Sequence, residues 1–92
     1  MKKILFVTLR HEYTEALIKN TMAAAAKAGA DICIDVVSRS EMDEHSRQGG
    51  YDLILFSPLL RFLQSSIEIP TKTVGSKIYG ALDGEALLRL IQ

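Results

Sequence analysis

Few side chains in this sequence are equipped for chemistry. There is one cysteine, Cys33, and there are two histidines, His11 and His45. A lone cysteine forms no internal disulfide, and with two histidines it argues against a structural zinc site. No metal and no bound cofactor is expected. Neither glycine-rich nucleotide signature, G-x-G-x-x-G or G-x-x-x-x-G-K-[ST], occurs. His11 lies in a polar stretch, residues 10–14, directly after the first apolar run, and can serve there as a base. The preferred reading is a solvated loop histidine. His45 sits among Glu41, Asp43, Glu44 and Arg47, a pattern of a solvated helix face. Cys33 lies within an apolar segment and reads as a buried structural thiol. Thr8, at the end of the first run, reads from its residue type as a strand terminator or helix N-cap.

The elements that must position these residues follow from hydrophobic pattern. Residues 3–8 (KILFVT) are continuously apolar, as in a strand covered on both faces. After residues 10–14 a helical pattern runs to about Ala28, with Leu17, Ile18, Met22 and Ala25 on its apolar stripe. Gly29 is suited to end it. Residues 31–37 (DICIDVV) predict a second strand. Ser38-Arg39-Ser40-Glu41 has the spacing of a capping box, and a short polar helix should follow and stop at Gly49-Gly50. Residues 52–56 (DLILF) predict a third strand. Ser57-Pro58 then opens a helix holding Leu59, Leu60, Phe62 and Leu63. A short strand is expected near Thr71–Val74, and a loop over 75–82. Asp83 can cap a final helix through Leu87, Leu88, Leu90 and Ile91.

Strands alternating with helices imply an open parallel sheet flanked by helices. Ligands of such sheets bind beyond the carboxyl ends of the strands. The candidate site is therefore spread over residues 8–14, 38–40, 57–58 and 75–80. At 92 residues one domain, 1–92, is expected. Eleven basic residues balance eleven acidic ones, leaving no excess to neutralise a nucleic-acid backbone. The apolar run after Met1-Lys2-Lys3 ends at Leu9, too short for a signal peptide, and no stretch is long enough to span a membrane. A cytoplasmic protein with no direct membrane insertion is expected.

The order of motifs also resembles a known family. KKILFVT, then ALIKNTMAAAAKAGADICIDVVSRSEMDE, YDLILFSP and KIYGALDGEALL together look like the enzyme IIB component of the bacterial sugar phosphotransferase system, lactose/cellobiose type. The resemblance covers nearly the whole chain and includes Ser57-Pro58, Tyr79-Gly80 and Asp83-Gly84. It implies an open four-stranded parallel sheet of the flavodoxin-like, doubly wound kind. It also implies a phosphoryl carrier, which takes phosphate from a phosphohistidine on a IIA partner and passes it to sugar at a membrane IIC permease.

Alignment on Ala16-Leu17-Ile18 puts the family's phosphate-accepting cysteine at Thr8. The phosphate loop falls on Leu9, Arg10, His11, Glu12, Tyr13 and Thr14, bulky or charged residues where the family has small ones. A thiolate attacks phosphorus well, whereas a threonine hydroxyl needs a base. Phosphothreonine is also too stable an ester to phosphorylate a sugar. Glu12 and Glu15 would set negative charge near phosphate, which Arg10 could partly counter. His11 is the alternative acceptor, or a base toward Thr8. Ser57, Pro58 and Tyr79 belong to the implied rim, with Tyr13, Arg61 and Lys77 near it. The alternative to a carrier is a catalytically degenerate relative acting as a regulator or binding module. A third reading is a small-molecule or anion binder of the same fold.

Overall fold

The computed structural model describes residues 1–9, 11–58, 60 and 69–92, and for residues 11–13 the backbone alone. Four strands are present: β1 (Lys2–Thr8), β2 (Ile32–Ser38), β3 (Leu53–Phe56) and β4 (Thr71–Thr73). They form one parallel sheet in the order β2-β1-β3-β4. The helices are α1 (His11–Ala28), α2 (Met42–Gln48), α3 (Ser76–Ala81) and α4 (Gly84–Ile91), with a 3-10 turn at Arg39–Glu41 before α2. This is the expected open four-stranded parallel sheet flanked by helices.

Residue type explains which strands are central. Ile4, Leu5, Phe6 and Val7 are all fully buried, so β1 tolerates cover on both faces. Full burial of each such side chain stabilises by about 1.5–3 kcal/mol. The outer strands carry polar residues that need water. Asp35 in β2 and Lys72 in β4 are exposed. Alternation along β1 divides the core into two layers. Ile4 and Phe6 pack with Leu17 and Ala25 of α1 and Leu87, Leu88 and Ile91 of α4. Leu5 and Val7 pack with Val37, Met42, Ile54, Phe56 and Leu60. Thr8 continues the Ile4–Phe6 face, toward α1.

Local signals hold at most helix ends. Gly29 ends α1 with φ of +70°, a backbone conformation that costs glycine little. In the turn before α2, one carboxylate oxygen of Glu41 accepts from the Ser38 amide at 3.2 Å and the Ser38 hydroxyl at 2.8 Å. Asp83 caps α4, its carboxylate accepting from the Ala86 amide at 3.0 Å. After β3 the Leu60 amide donates to the Ser57 carbonyl at 2.9 Å, across Pro58. Leu59, Phe62 and Leu63 of the helix expected there lie outside the described residues.

Four expectations are corrected. The loop over 75–82 is mostly helix: α3 spans Ser76–Ala81, with the Tyr79 amide donating to the Gly75 carbonyl at 3.0 Å. Gly75 and Gly80 suggest a loop, but Ile78, Tyr79 and Leu82 pack on the core and override the weak local preference. α1 begins at His11, so residues 11–14 are helical. Its buried stripe is Thr14, Leu17, Thr21 and Ala25, while Met22 is 37% exposed. Thr21 is accommodated because its hydroxyl donates to the Leu17 carbonyl at 2.7 Å. Cys33 is half-buried rather than buried, since an edge strand has incomplete cover.

Candidate functional site

The carboxyl end of β1 is placed by both of its neighbours. Thr8 pairs with Ser38 of β2, and the Ser57 amide, just past β3, donates to the Val7 carbonyl at 3.1 Å. Thr8 itself has no exposed surface. Its hydroxyl shares a hydrogen bond of 2.8 Å with the Thr14 hydroxyl, in the first turn of α1. The Tyr79 hydroxyl, from α3, lies 3.3 Å from Thr8 and 3.0 Å from Thr14. Three hydroxyls from three elements thus meet in a triangle. Each can donate one hydrogen and accept others, so every hydroxyl of the triangle has a partner within it. Thr14 is fully buried and Tyr79 half-buried.

The chemistry open to this triangle is limited. The hydroxyls of Thr14 and Tyr79 are weak bases and do not themselves activate Thr8 as a nucleophile. What they do well is hold three elements together without leaving a buried polar group unpaired.

Beside the triangle lies an open groove of about 480 Å³, lined by Thr8, Leu9, Ser38, Arg39, Ser40 and Asp43. Thr8 lies beneath it with no exposed surface, and Leu9 stands at its edge, 55% exposed. The Ser38 hydroxyl is already engaged, by the Ser40 hydroxyl at 3.0 Å and by Glu41. Asp43 was not a sequence candidate. It enters because the 3-10 turn brings the start of α2 back toward β1.

The remaining candidates are distributed as follows. His11, Glu12 and Tyr13 contribute the first backbone turn of α1. Arg10 and Arg61 lie outside the described residues. Ser57 is buried behind the end of β3, and Pro58 is half-buried next to it. Lys77 is exposed on α3, and His45 is half-buried on α2. Tyr79 was expected only at the rim. The structure brings it onto Thr8, across a separation of 71 residues that no local signal could bridge.

Cys33 pairs in register with Lys3, at the opposite end of the sheet from Thr8. The ionisable groups around it form a separate cluster. The Tyr51 hydroxyl donates to the Asp35 carboxylate at 2.8 Å, and the Lys3 ammonium lies 4.9 Å from the Tyr51 ring centre. Burial, then the bond to Asp35 and the charges of Asp35 and Cys33, push the Tyr51 pKa up to about 12. Among the described residues no group of three or more His, Cys, Asp or Glu is placed to hold a metal ion. Nor is any described helix long and apolar enough to cross a membrane.

The architecture can be compared with known proteins. The chain is similar in structure to the lactose-specific IIB component domain of the phosphoenolpyruvate:carbohydrate phosphotransferase system from Streptococcus pneumoniae. The TM-score is 0.73, over 98% of this chain and 93% of that one. The fold is IIB-like. Sequence identity is 15%, so the likeness is one of fold. No family model matches the chain, and no curated protein matches it by sequence. The IIB-like fold agrees with the resemblance carried by the sequence motifs.

Proposed function

We propose that residues 1–92 form one cytoplasmic IIB-like domain that engages phosphotransferase partner proteins without carrying a phosphoryl group on Thr8. Its partners in this reading are a IIA-type phosphodonor and a membrane IIC permease. Its role is that of a regulator or binding module. The observation that supports it is the state of Thr8: fully buried, with its hydroxyl held by Thr14 and Tyr79. Transfer from a phosphohistidine needs an acceptor atom that a second protein can reach in line, and a base to take its proton. A hydroxyl without exposed surface does not meet the first requirement, and the hydroxyls of Thr14 and Tyr79 do not supply the second.

The carrier reading rests on the same fold and requires position 8 or His11 to accept the phosphoryl group. Incubation with radiolabelled phosphoenolpyruvate, the two general phosphotransferase proteins and a lactose/cellobiose-type IIA protein separates the two. The expected result is no label on this chain, together with saturable binding to the IIA protein by calorimetry. Acid-labile label would assign the carrier role to His11. Label stable to acid and labile to base would assign it to Thr8, and either outcome overturns the proposal. Absence of IIA binding would remove its partner half.

A further inference from the structure

We propose that α3 is a strap across the carboxyl end of β1, latched by Tyr79, and that its opening is what exposes position 8. This deepens the reading above by naming what shuts that position. α3 is six residues long, has no fully buried residue, and contains Gly80. A helix so short is not stable without tertiary support. It is bounded by two places where the chain changes course. Gly75 precedes it in extended conformation and is exposed. Leu82 follows it with φ of +52°, a left-handed conformation that a leucine holds only under tertiary constraint.

The inner side of the strap supplies its attachments. Ile78, Tyr79 and Leu82 are half-buried against the core, and the Tyr79 hydroxyl reaches both Thr8 and Thr14. The Asn20 amide donates to the Leu82 carbonyl at 2.9 Å, at an exposed position. The next element differs in kind. α4 buries Leu87, Leu88 and Ile91 and sets Gly84 directly against the α1 backbone. Segments with little fully buried apolar surface open before those with much. The hinge therefore falls between Leu82 and Gly84, and α3 moves while α4 stays. Such a movement carries the Tyr79 ring and hydroxyl off Thr8 and leaves β1 and α1 in place.

Thiol labelling reads this directly and involves no partner protein, so its failure is distinct from failure of the functional reading. Thr8→Cys is made in a Cys33→Ser background and treated with Ellman's reagent. The thiolate attacks the aromatic disulfide, forming a mixed disulfide and releasing one thionitrobenzoate. The folded variant should react at least about tenfold more slowly than the same chain in urea, and adding Tyr79→Ala should recover about tenfold or more. Equal rates with and without Tyr79 overturn the proposal. Hydrogen exchange on the otherwise unaltered chain decides the matter where the cysteine variants do not fold. Tyr79→Phe should speed exchange of the Tyr79, Leu82 and Asp83 amides roughly three- to tenfold relative to β1 amides, the loss of one or two hydrogen bonds. Unchanged exchange at those three amides overturns the strap.

Discussion

Substitution of Gly84 by alanine tests how α3 and α4 are held over the site. A Cβ built on Gly84 would stand 2.3 Å from the Asn20 carbonyl carbon, 2.5 Å from its oxygen and 2.5 Å from the Thr21 nitrogen. Ordinary contact begins near 3.4 Å, so α4 must retreat by about 1 Å. All three atoms belong to the α1 backbone, so no side chain can swing aside to relieve the clash. Overpacking costs about 1–3 kcal/mol, and the rigid opposing surface places this case at about 3 kcal/mol. Alanine returns at most about 1 kcal/mol through better helix propensity. The net loss of about 2 kcal/mol should lower the melting temperature by roughly 8–16 °C in a chain of this length. Urea unfolding should show a lower midpoint with an unchanged slope. Gly80→Ala is the internal control. A Cβ there meets nothing within 4 Å, and the backbone is not left-handed. It should be neutral or stabilise by up to about 1 kcal/mol. The reasoning is refuted if Gly84→Ala melts within about 2 °C of the parent, a shift smaller than 1 kcal/mol produces.

Further outcomes follow from single contacts. Asp83→Ala removes the α4 cap and should cost about 0.5–2 kcal/mol by urea unfolding, while Asp83→Asn or Asp83→Ser should recover most of it. Thr8→Val leaves Thr14 and Tyr79 bonded to one another at 3.0 Å, so by urea unfolding it should cost about 0.5–1.5 kcal/mol, and a loss above about 3 kcal/mol would refute that Thr14 and Tyr79 compensate for it. The Tyr51 pKa is raised from 10.0 to about 12, so the folded state favours the protonated phenol. That contribution to stability is fully present below pH 10 and is lost as the pH rises through about 12. Ultraviolet titration should show a late phenolate phase, absent in Tyr51→Phe and moved to lower pH in Asp35→Asn, which removes the carboxylate that accepts from the phenol and repels the phenolate.

Local chemistry carried much of the structure in the sequence. Four apolar residues in a row at Ile4–Val7 require cover on two faces, and that requirement makes β1 an interior strand wherever the chain folds. Asp83, the Ser38–Glu41 spacing and Gly29 act within a turn of themselves, so helix ends were legible residue by residue. The order of strands and helices limited the architecture to an open parallel sheet and set the site at its carboxyl edge.

The tertiary structure decided what depends on distant partners. Helical periodicity alone could not tell that Met22 faces water while Thr14 and Thr21 face the core, because that depends on how α1 is rotated against β1 and α4. The segment 75–82 became a helix only because the core offered Ile78, Tyr79 and Leu82 somewhere to pack. Gly84 is demanded by the approach of two helices some sixty residues apart in sequence. The state of Thr8 is the clearest case. Its residue type makes it a weak nucleophile wherever no base takes its proton, and the sequence by itself determined that much. Burial, and closure by hydroxyls six and 71 residues away, exist only once β1, α1 and α3 converge, because hydrogen bonds act over about 3 Å whatever the distance along the chain.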